Sequence, residues 1–350
     1  MKPKFLTLLF VLFFAFSLFA SDEGNFRVAF YNVENLFDTE DNPRKNDNEF
    51  LPNGTRNWTY GRYQNKLTNL ARMISSMGEW GYPAIVGLCE VENEKVLDDL
   101  TQRSPLKKAA YRYIVTNSPD QRGINTALLY QREKFRLITQ AAITIEFPYN
   151  KRKQTRDILH VSGLIASGDT LDVFVCHFPS RRGGEKESEA DRVYVASVLK
   201  AKADSLFSVR KKANIVIMGD FNDEPSDKSM AQTLKAQRSL EKIERTGLYN
   251  LAFRFEKQRN QGSYKYGRQW NVLDQIVVSG NLLETSREQF RALPYSFTIF
   301  RRDFMMTDDT TNGGKRMKKT FHGYRHEGGY SDHLPVCVDF FVPVRIGTSK

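Results

Sequence analysis

The sequence predicts a mixed α/β sandwich. Segments of helical and strand-like pattern alternate at both ends of the chain, and strand-like segments follow one another without helices in the middle. Alternation alone would give a doubly wound parallel sheet, whereas a central run of strands adds an antiparallel meander that holds two sheets together. The clearest apolar runs also stop at short polar words, which places polar groups at sheet edges.

The elements follow in order. Arg27-Val28-Ala29-Phe30 is a short run rich in strand formers, and it ends at Tyr31-Asn32-Val33-Glu34-Asn35. Asp38 to Tyr60 is polar and reads as a long loop over the mouth of a site. Gly61 to Met77 carries Leu67, Leu70, Met73, Ile74 and Met77 at helical spacing. Ala84-Ile85-Val86-Gly87-Leu88 is a strand that stops at Cys89-Glu90, and Glu92 to Thr101 has a helical pattern. Strands are then expected at Tyr111–Thr116, Asn125–Tyr130, Phe135–Ile145, Ile158–Ala166 and Leu171–Cys176, the last stopping at His177. Glu185 to Ser208 is the longest predicted helix. Asn214-Ile215-Val216-Ile217-Met218 leads to Gly219-Asp220-Phe221-Asn222, and helical segments are expected over Lys228–Phe255. Strands return at Val272–Val278 and Leu334–Val342, with a polar loop from Arg301 to Gly329 between them.

The N-terminus reads differently from the rest. Met1-Lys2-Pro3-Lys4 is basic, Phe5 to Ala20 is almost wholly apolar, and Ser21-Asp22-Glu23-Gly24 is polar. That is the pattern of a secretory signal peptide. Its apolar stretch of about 16 residues falls short of the ~20 that a spanning helix needs. The expectation is therefore a cleaved signal over residues 1–20, export to the periplasm or beyond, and one domain over residues 21–350 with no stable membrane insertion. Oligomeric state is not legible.

The chain has 350 residues and a net charge of +11, a balance that suits a polyanionic substrate such as nucleic acid. The three cysteines, Cys89, Cys176 and Cys337, are odd in number and sparsely spaced, which excludes a disulfide framework. All three sit in apolar runs. Strict strand alternation would turn Cys89 and Cys176 away from the neighbouring Glu90 and His177.

The polar words carry chemistry. Glu90 lies at a strand end, Asp220 and Asn222 share a face of an extended segment, and Asp332 is next to His333. Carboxylates with an amide suit a hard, oxygen-seeking cation, Mg²⁺ or Mn²⁺, rather than zinc. His177 and His333 can act as bases or as phosphate donors near neutral pH.

The ordered set Asn32, Glu90, His177, Gly219-Asp220-Phe221-Asn222, Leu273-Asp274 and Ser331-Asp332-His333 resembles the endonuclease/exonuclease/phosphatase superfamily, over nearly the whole chain from Phe26 to about Phe340. The resemblance implies a four-layer α/β sandwich, with two packed mixed β-sheets flanked by helices, and metal-dependent phosphoester hydrolysis. It implies that Asn32, Glu90 and Asp332 lie at the metal, Mg²⁺ or Mn²⁺. Asp220 would orient or deprotonate the attacking water and Asn222 would hold the phosphate. His333 would contact the phosphate or act as base, with Asp274 on its other ring nitrogen, and His177 would donate to phosphate or leaving group. Arg156 lies where relatives carry a phosphate-contacting arginine; the alternative is a rim ion pair with Asp157. Glu34 matches an extra metal-side acid in some relatives; the alternative is a loop carboxylate. Asn125 is a candidate partner of His177.

Arg181 and Arg182, in a Gly-rich loop after His177, could grip a flanking phosphate or pair with Glu185, Glu187 and Glu189. Tyr264, Tyr266 and Trp270 could stack on a base or pack within a loop. The substrate expectation is nucleic acid, cut by an exported nuclease. The alternatives are a small phosphoester or phospholipid substrate, and a binding module that has lost catalysis.

Overall fold

The structure is a computed structural model that describes residues 26–78, 81–286 and 288–343. The expected signal peptide, residues 1–20, lies outside the described residues. In chain order the strands begin with β1 (Phe26–Leu36), β2 (Ile85–Val91), β3 (Arg112–Val115), β4 (Asn125–Tyr130), β5 (Phe135–Ile143), β6 (Ile158–Ile165), β7 (Thr170–His177) and β8 (Ile215–Asp220). They continue with β9 (Ala236–Gln237), β10 (Leu248–Asn250), β11 (Tyr264–Tyr266), β12 (Gln269–Asn271), β13 (Asp274–Ser279) and β14 (Arg291–Ile299). The last five are β15 (Met306–Asp308), β16 (Lys315–Met317), β17 (Phe321–His322), β18 (Arg325–His326) and β19 (Val336–Phe341). The α-helices are α1 (Tyr60–Ser76), α2 (Glu94–Asp98) and α3 (Glu189–Val209).

Two sheets carry the fold. One has the order β14-β19-β1-β2-β4-β3 and the other β5-β6-β7-β8-β13-β10-β9. Each contains a parallel pair, β1 with β2 and β7 with β8, inside otherwise largely antiparallel pairing. The inner faces pack together through Phe30, Leu128, Val161, Val175, Met218 and Val338. The sheets come close at Gly87, where a Cβ would lie 2.7 Å from the Met218 sulfur. Helix α1 covers the outer face of the first sheet with Tyr63, Leu67, Leu70 and Ile74. Helix α3 covers the second with Val195, Ala196, Leu199 and Ala203. The result is four layers with three apolar seams, as the resemblance implies.

Four segments depart from the sequence reading. The span Lys228–Phe255, expected to be helical, holds one wide helical turn at Lys228–Thr233, the short edge strands β9 and β10, and a single turn at Phe253–Phe255. Its middle, Gln237 to Gly247, is polar and lacks an apolar stripe to bury. Strand β14 was not foreseen. Pro294 lies inside it, which the sheet tolerates because β14 is an edge strand whose pairing with β19 shifts register between Leu293 and Thr298. The span Arg301–Gly329, expected as a loop, folds into two small hairpins, β15–β16 and β17–β18. Helix α3 starts at Glu189 rather than Glu185, after Gly183 and Gly184 at φ of 90° and 127°. The polar stretch after β1 is nailed to the outer core, with Phe50 stacked on Phe37 at 4.3 Å and Trp58 fully buried.

Candidate active site

Strand register assembles the site. Strands β1 and β2 run parallel, so their C-terminal ends bring Asn32 beside Cys89 and Glu90. Strands β7 and β8 also run parallel and end with His177 opposite Asp220. Strand β13 is antiparallel to β8 and starts with Asp274 opposite Asp220. Strand β19 is antiparallel to β1, with Val336 opposite Phe30, so the preceding Ser331-Asp332-His333 turn reaches the same end. At that end the two inner sheet faces meet polar groups instead of apolar ones.

Left-handed backbone marks the rim. Glu34, Asn35, Glu90 and Asn222 have φ of 50°, 54°, 62° and 51°. Such strain at non-glycine residues persists where the surroundings over-determine it, and it clusters at functional sites. It also corrects the expectation for Cys89. The pairing of β2 with β4 shifts register between Cys89 and Val91, so alternation breaks at Glu90. Cys89 therefore faces the site, its sulfur within 4.8 Å of ligand-capable atoms of His177 and Asp220, while Glu90 also reaches His177 at 3.9 Å.

At the centre, His333 Nδ1 lies 2.7 Å from Asp274 Oδ2, and Nε2 lies 3.7 Å from Asp220 Oδ2. Burial opposes charge on this imidazole, but the fields of Asp274 and Asp220 and the bond to Asp274 outweigh it, so its pKa is raised well above the usual value. Asp220 accepts from Asn32 Nδ2 at 3.0 Å and from the Asn222 N–H at 3.0 Å. Burial pushes the Asp220 carboxyl up, the His333 field opposes this, and Asp274 adds to it; the outcome is about 7. His177 Nε2 is 3.7 Å from Asp220 and 3.9 Å from Glu90. Burial and then the fields of Arg156, Arg122 and His333 hold this ring neutral, well below the usual pKa. Its Nδ1 is buried without a partner.

The remaining candidates separate. Asn222 donates from Nδ2 to the Phe178 carbonyl at 3.1 Å. Arg156 is buried, donates to the same carbonyl, and pairs with Asp120 at 3.5 Å rather than with Asp157. Its Nε is a buried donor with no partner, which suits an anion. Asn125 does not meet His177; it accepts from the Ser118 N–H and donates to the Glu92 carbonyl at 2.7 Å. Arg181 is engaged by the Asn222 carbonyl at 2.6 Å, Asp227 at 2.8 Å and Glu185 at 3.2 Å, so it braces the Asn222 turn. Arg182 is exposed. Tyr264 packs on the His333 ring with centroids 4.8 Å apart, Trp270 lies under Arg301 at 5.0 Å, and Tyr266 is exposed. Both Glu34 oxygens accept backbone N–H groups, from Thr320 at 2.6 Å and Phe321 at 3.3 Å. Glu34 is thus a loop-holding carboxylate.

The His, Cys, Asp and Glu clusters among the described residues are Asp220, Asp274 and His333, and Cys89, His177 and Asp220; neither contains Glu90 or Asp332. Glu90 nevertheless accepts only the Asn35 N–H, at 2.9 Å, and no hydrogen bond reaches the Asp332 carboxylate among the described residues. Burial and the Glu90 field raise the Asp332 pKa against the fields of His333, Lys319 and Lys66. Two mutually repelling, under-bonded oxygen donors fit a hard divalent cation.

Two charged residues were missed. Arg122 bonds Asn35 Oδ1 and lies 4.0 Å from Glu90, on a turn held by Asp120; nothing in the sequence singled it out. Lys66 is buried on α1, in register with Tyr63 and Leu70. A lysine within an apolar stripe was a readable signal.

The sequence model of the Endonuclease/Exonuclease/phosphatase family, a family of hydrolases acting on phosphoester bonds, matches residues 27–341. No curated protein matches the sequence significantly. Among solved structures, truncated TDP2 from Caenorhabditis elegans superposes with a TM-score of 0.54 at 16% identity, over 91% of this chain and 98% of that one. A mannosyl-6-phosphatase from Bacteroides thetaiotaomicron gives 0.55 at 16% identity, over 90% and 99%. The human Nocturnin catalytic domain gives 0.51 at 16% identity, over 91% and 94%. At such identities the likeness is one of fold.

Proposed function

The chain belongs to the endonuclease/exonuclease/phosphatase family, and from that premise we propose that it is an exported, divalent-metal-dependent phosphodiesterase that cuts nucleic acid. The observation that carries the chemistry is the Asp274–His333–Asp220 line, with a raised carboxyl and a raised imidazole side by side. A base works best when its pKa lies near the working pH. Asp220 takes the proton of a water placed in line with phosphorus. The oxygen–hydrogen bond breaks, a phosphorus–oxygen bond forms, and the bond to the departing oxygen breaks. The His333 imidazolium, oriented by Asp274, and neutral His177 donate to phosphoryl oxygens as charge builds there. Arg156 Nε and Arg122 add positive charge at the same rim. Glu90 and Asp332, with Asn32 nearby, would hold Mg²⁺ or Mn²⁺, which supplies Lewis-acid stabilisation of the departing oxygen.

The net charge of +11 supports a polyanion, and no helix among the described residues is long and apolar enough to cross a membrane. A second reading has its own observation. Arg181 is tied up in ion pairs away from the centre, while Arg156, paired with Asp120, and Arg122, near Glu90, both place positive charge close enough to His177 to lower its pKa. Two guanidinium groups on one phosphate suit a dianionic monoester end.

The test is digestion of supercoiled plasmid with Mg²⁺, with EDTA and with His333→Ala, beside hydrolysis of bis-p-nitrophenyl phosphate and of a sugar phosphate. Nicking that needs both metal and His333, with affinity falling steeply in salt, is the expected result. Turnover of the sugar phosphate alone would replace the nuclease with a monoesterase. Inactivity on all three would leave the binding module.

A further inference from the structure

Lys66 is 1% exposed, and no carboxylate among the described residues lies within ion-pair distance of its ammonium. Its ammonium donates to Thr320 Oγ1 at 2.6 Å and to the Tyr330 carbonyl at 2.6 Å. Glu34 grips the same Thr320 from the other side, through the backbone N–H at 2.6 Å, and takes the Phe321 N–H as well. One helical turn on, Asn69 donates to the carbonyls of Gly328 at 3.0 Å and Gly329 at 2.9 Å, and Arg72 donates to the Tyr330 hydroxyl at 3.2 Å. Lys66 and Asn69 share a face of α1 by their spacing. The gripped segment closes on itself, with the Tyr330 N–H bonded to the Lys318 carbonyl at 2.6 Å and the Glu327 N–H to that of Thr320 at 2.8 Å.

The gripped segment ends one residue before Ser331-Asp332-His333. Ser331 Oγ donates to the Asn32 carbonyl at 2.7 Å and accepts from the His333 N–H at 3.0 Å. No hydrogen bond reaches the Asp332 carboxylate among the described residues, so its side chain is not held by contacts of its own. What fixes its position is the chain on either side: after it, His333 on Asp274 and the Leu334 N–H on the Ser263 carbonyl; before it, the Ser331 turn and the clamped Lys318–Tyr330 segment. A buried ammonium is costly unless fully engaged. Placing one here, bonded to two points of one segment, is a strong way to hold that segment in a single arrangement.

The geometry points to Lys66 and Glu34 as positioning residues: together they clamp the segment Lys318–Tyr330 between α1 and β1, and so hold Asp332 where it can bind the metal. The inference rests on the proposed metal-hydrolase reading. It gives α1, which lines no part of the reacting centre, a part in the reaction.

The variants are Thr320→Val, Asn69→Ala and Lys66→Met. Thr320→Val removes one acceptor of Lys66 and leaves both Glu34 contacts to the backbone. Hydrogen exchange reads the amides of residues 318–330, and Mn²⁺ titration reads metal affinity. Loss of one hydrogen bond to a charged group predicts about tenfold faster exchange in that segment for Thr320→Val. Loss of outer support for a metal ligand predicts at least about tenfold weaker Mn²⁺ binding. On bis-p-nitrophenyl phosphate at saturating Mn²⁺, kcat should recover towards wild type, since the clamp acts through the metal's ligand. Where Lys66→Met does not fold, Thr320→Val and Asn69→Ala carry the test. Unchanged exchange overturns the clamp. Faster exchange with unchanged Mn²⁺ affinity overturns its role at the metal. A wild-type protein that binds no Mn²⁺ fails earlier and sinks the hydrolase reading itself, a result distinct from either.

Discussion

At His333 the two ring nitrogens face two different carboxylates, Asp274 at 2.7 Å and Asp220 at 3.7 Å. The closer one orients the ring, and both raise the imidazole pKa. Asp274→Asn keeps the shape and removes the charge. The expected outcome is a drop of about 10²–10⁴-fold in kcat with KM little changed. The His333 titration, followed by NMR in the metal-free protein, should move down, because the field that held the proton is gone. A kcat within tenfold of wild type, or an unmoved titration, would remove the orienting role. Much at this scale was legible. Glu90, His177, Asp220, Asp274 and His333 each stand where an apolar run ends or begins, and strand pairing brings such ends together. What was not legible depended on local backbone. The left-handed turn at Glu90 swung Cys89 to the site side, and Asn125 found Ser118 and Glu92 instead of His177.

Element positions depend on close approaches that the sequence only hints at. Gly219 sits on β8 just before Asp220, and a Cβ there would lie 2.5 Å from the Cys176 carbonyl of β7. Gly219→Ala must push β7 and β8 apart where His177 faces Asp220. The expected loss is about 1–3 kcal/mol in urea unfolding, as for other overpacked sites, together with a fall in kcat. Gly61 is the control. It lies in the first turn of α1, and nothing lies within 4 Å of an added Cβ. Gly61→Ala should stabilise by up to about 1 kcal/mol and leave kcat alone. Equal effects at the two positions would mean that the β7–β8 approach is not tight. The elements that the sequence revealed were those with a clean period or a polar stop, such as α1 and β4. Strands β9 and β10 are too short for any period to show, and Pro294 masks β14 because a proline is acceptable only at a sheet edge.

For the whole molecule, buried acids tie stability to pH. Burial first, and then neighbouring acids, raises Glu92 to about 8, against hydrogen bonding from the Asp38 N–H. Burial likewise raises Glu224 to about 7 and Asp223 to about 6, against the Val272 N–H at the former and Ser229 and Arg192 at the latter. In the unfolded chain such carboxyls ionise near ~4. Between about pH 4 and pH 8 the folded protein therefore holds more protons than the unfolded chain, and stability falls as pH rises. Below that window both states are protonated and these groups contribute nothing. The metal-free protein should thus melt at a higher temperature near about pH 5 than near about pH 8. A divalent cation binds only the ionised ligands and only the folded state, so its stabilisation runs the other way and grows with pH. The measurement is thermal unfolding at both pH values, in EDTA and with Mn²⁺. The expected pattern is a melting temperature that falls with pH in EDTA and is restored by Mn²⁺ chiefly at the higher pH. A fall with pH that Mn²⁺ does not offset would leave the buried acids in place but argue that Glu90 and Asp332 hold no cation. A flat profile in EDTA would show that these carboxyls are not held protonated at all.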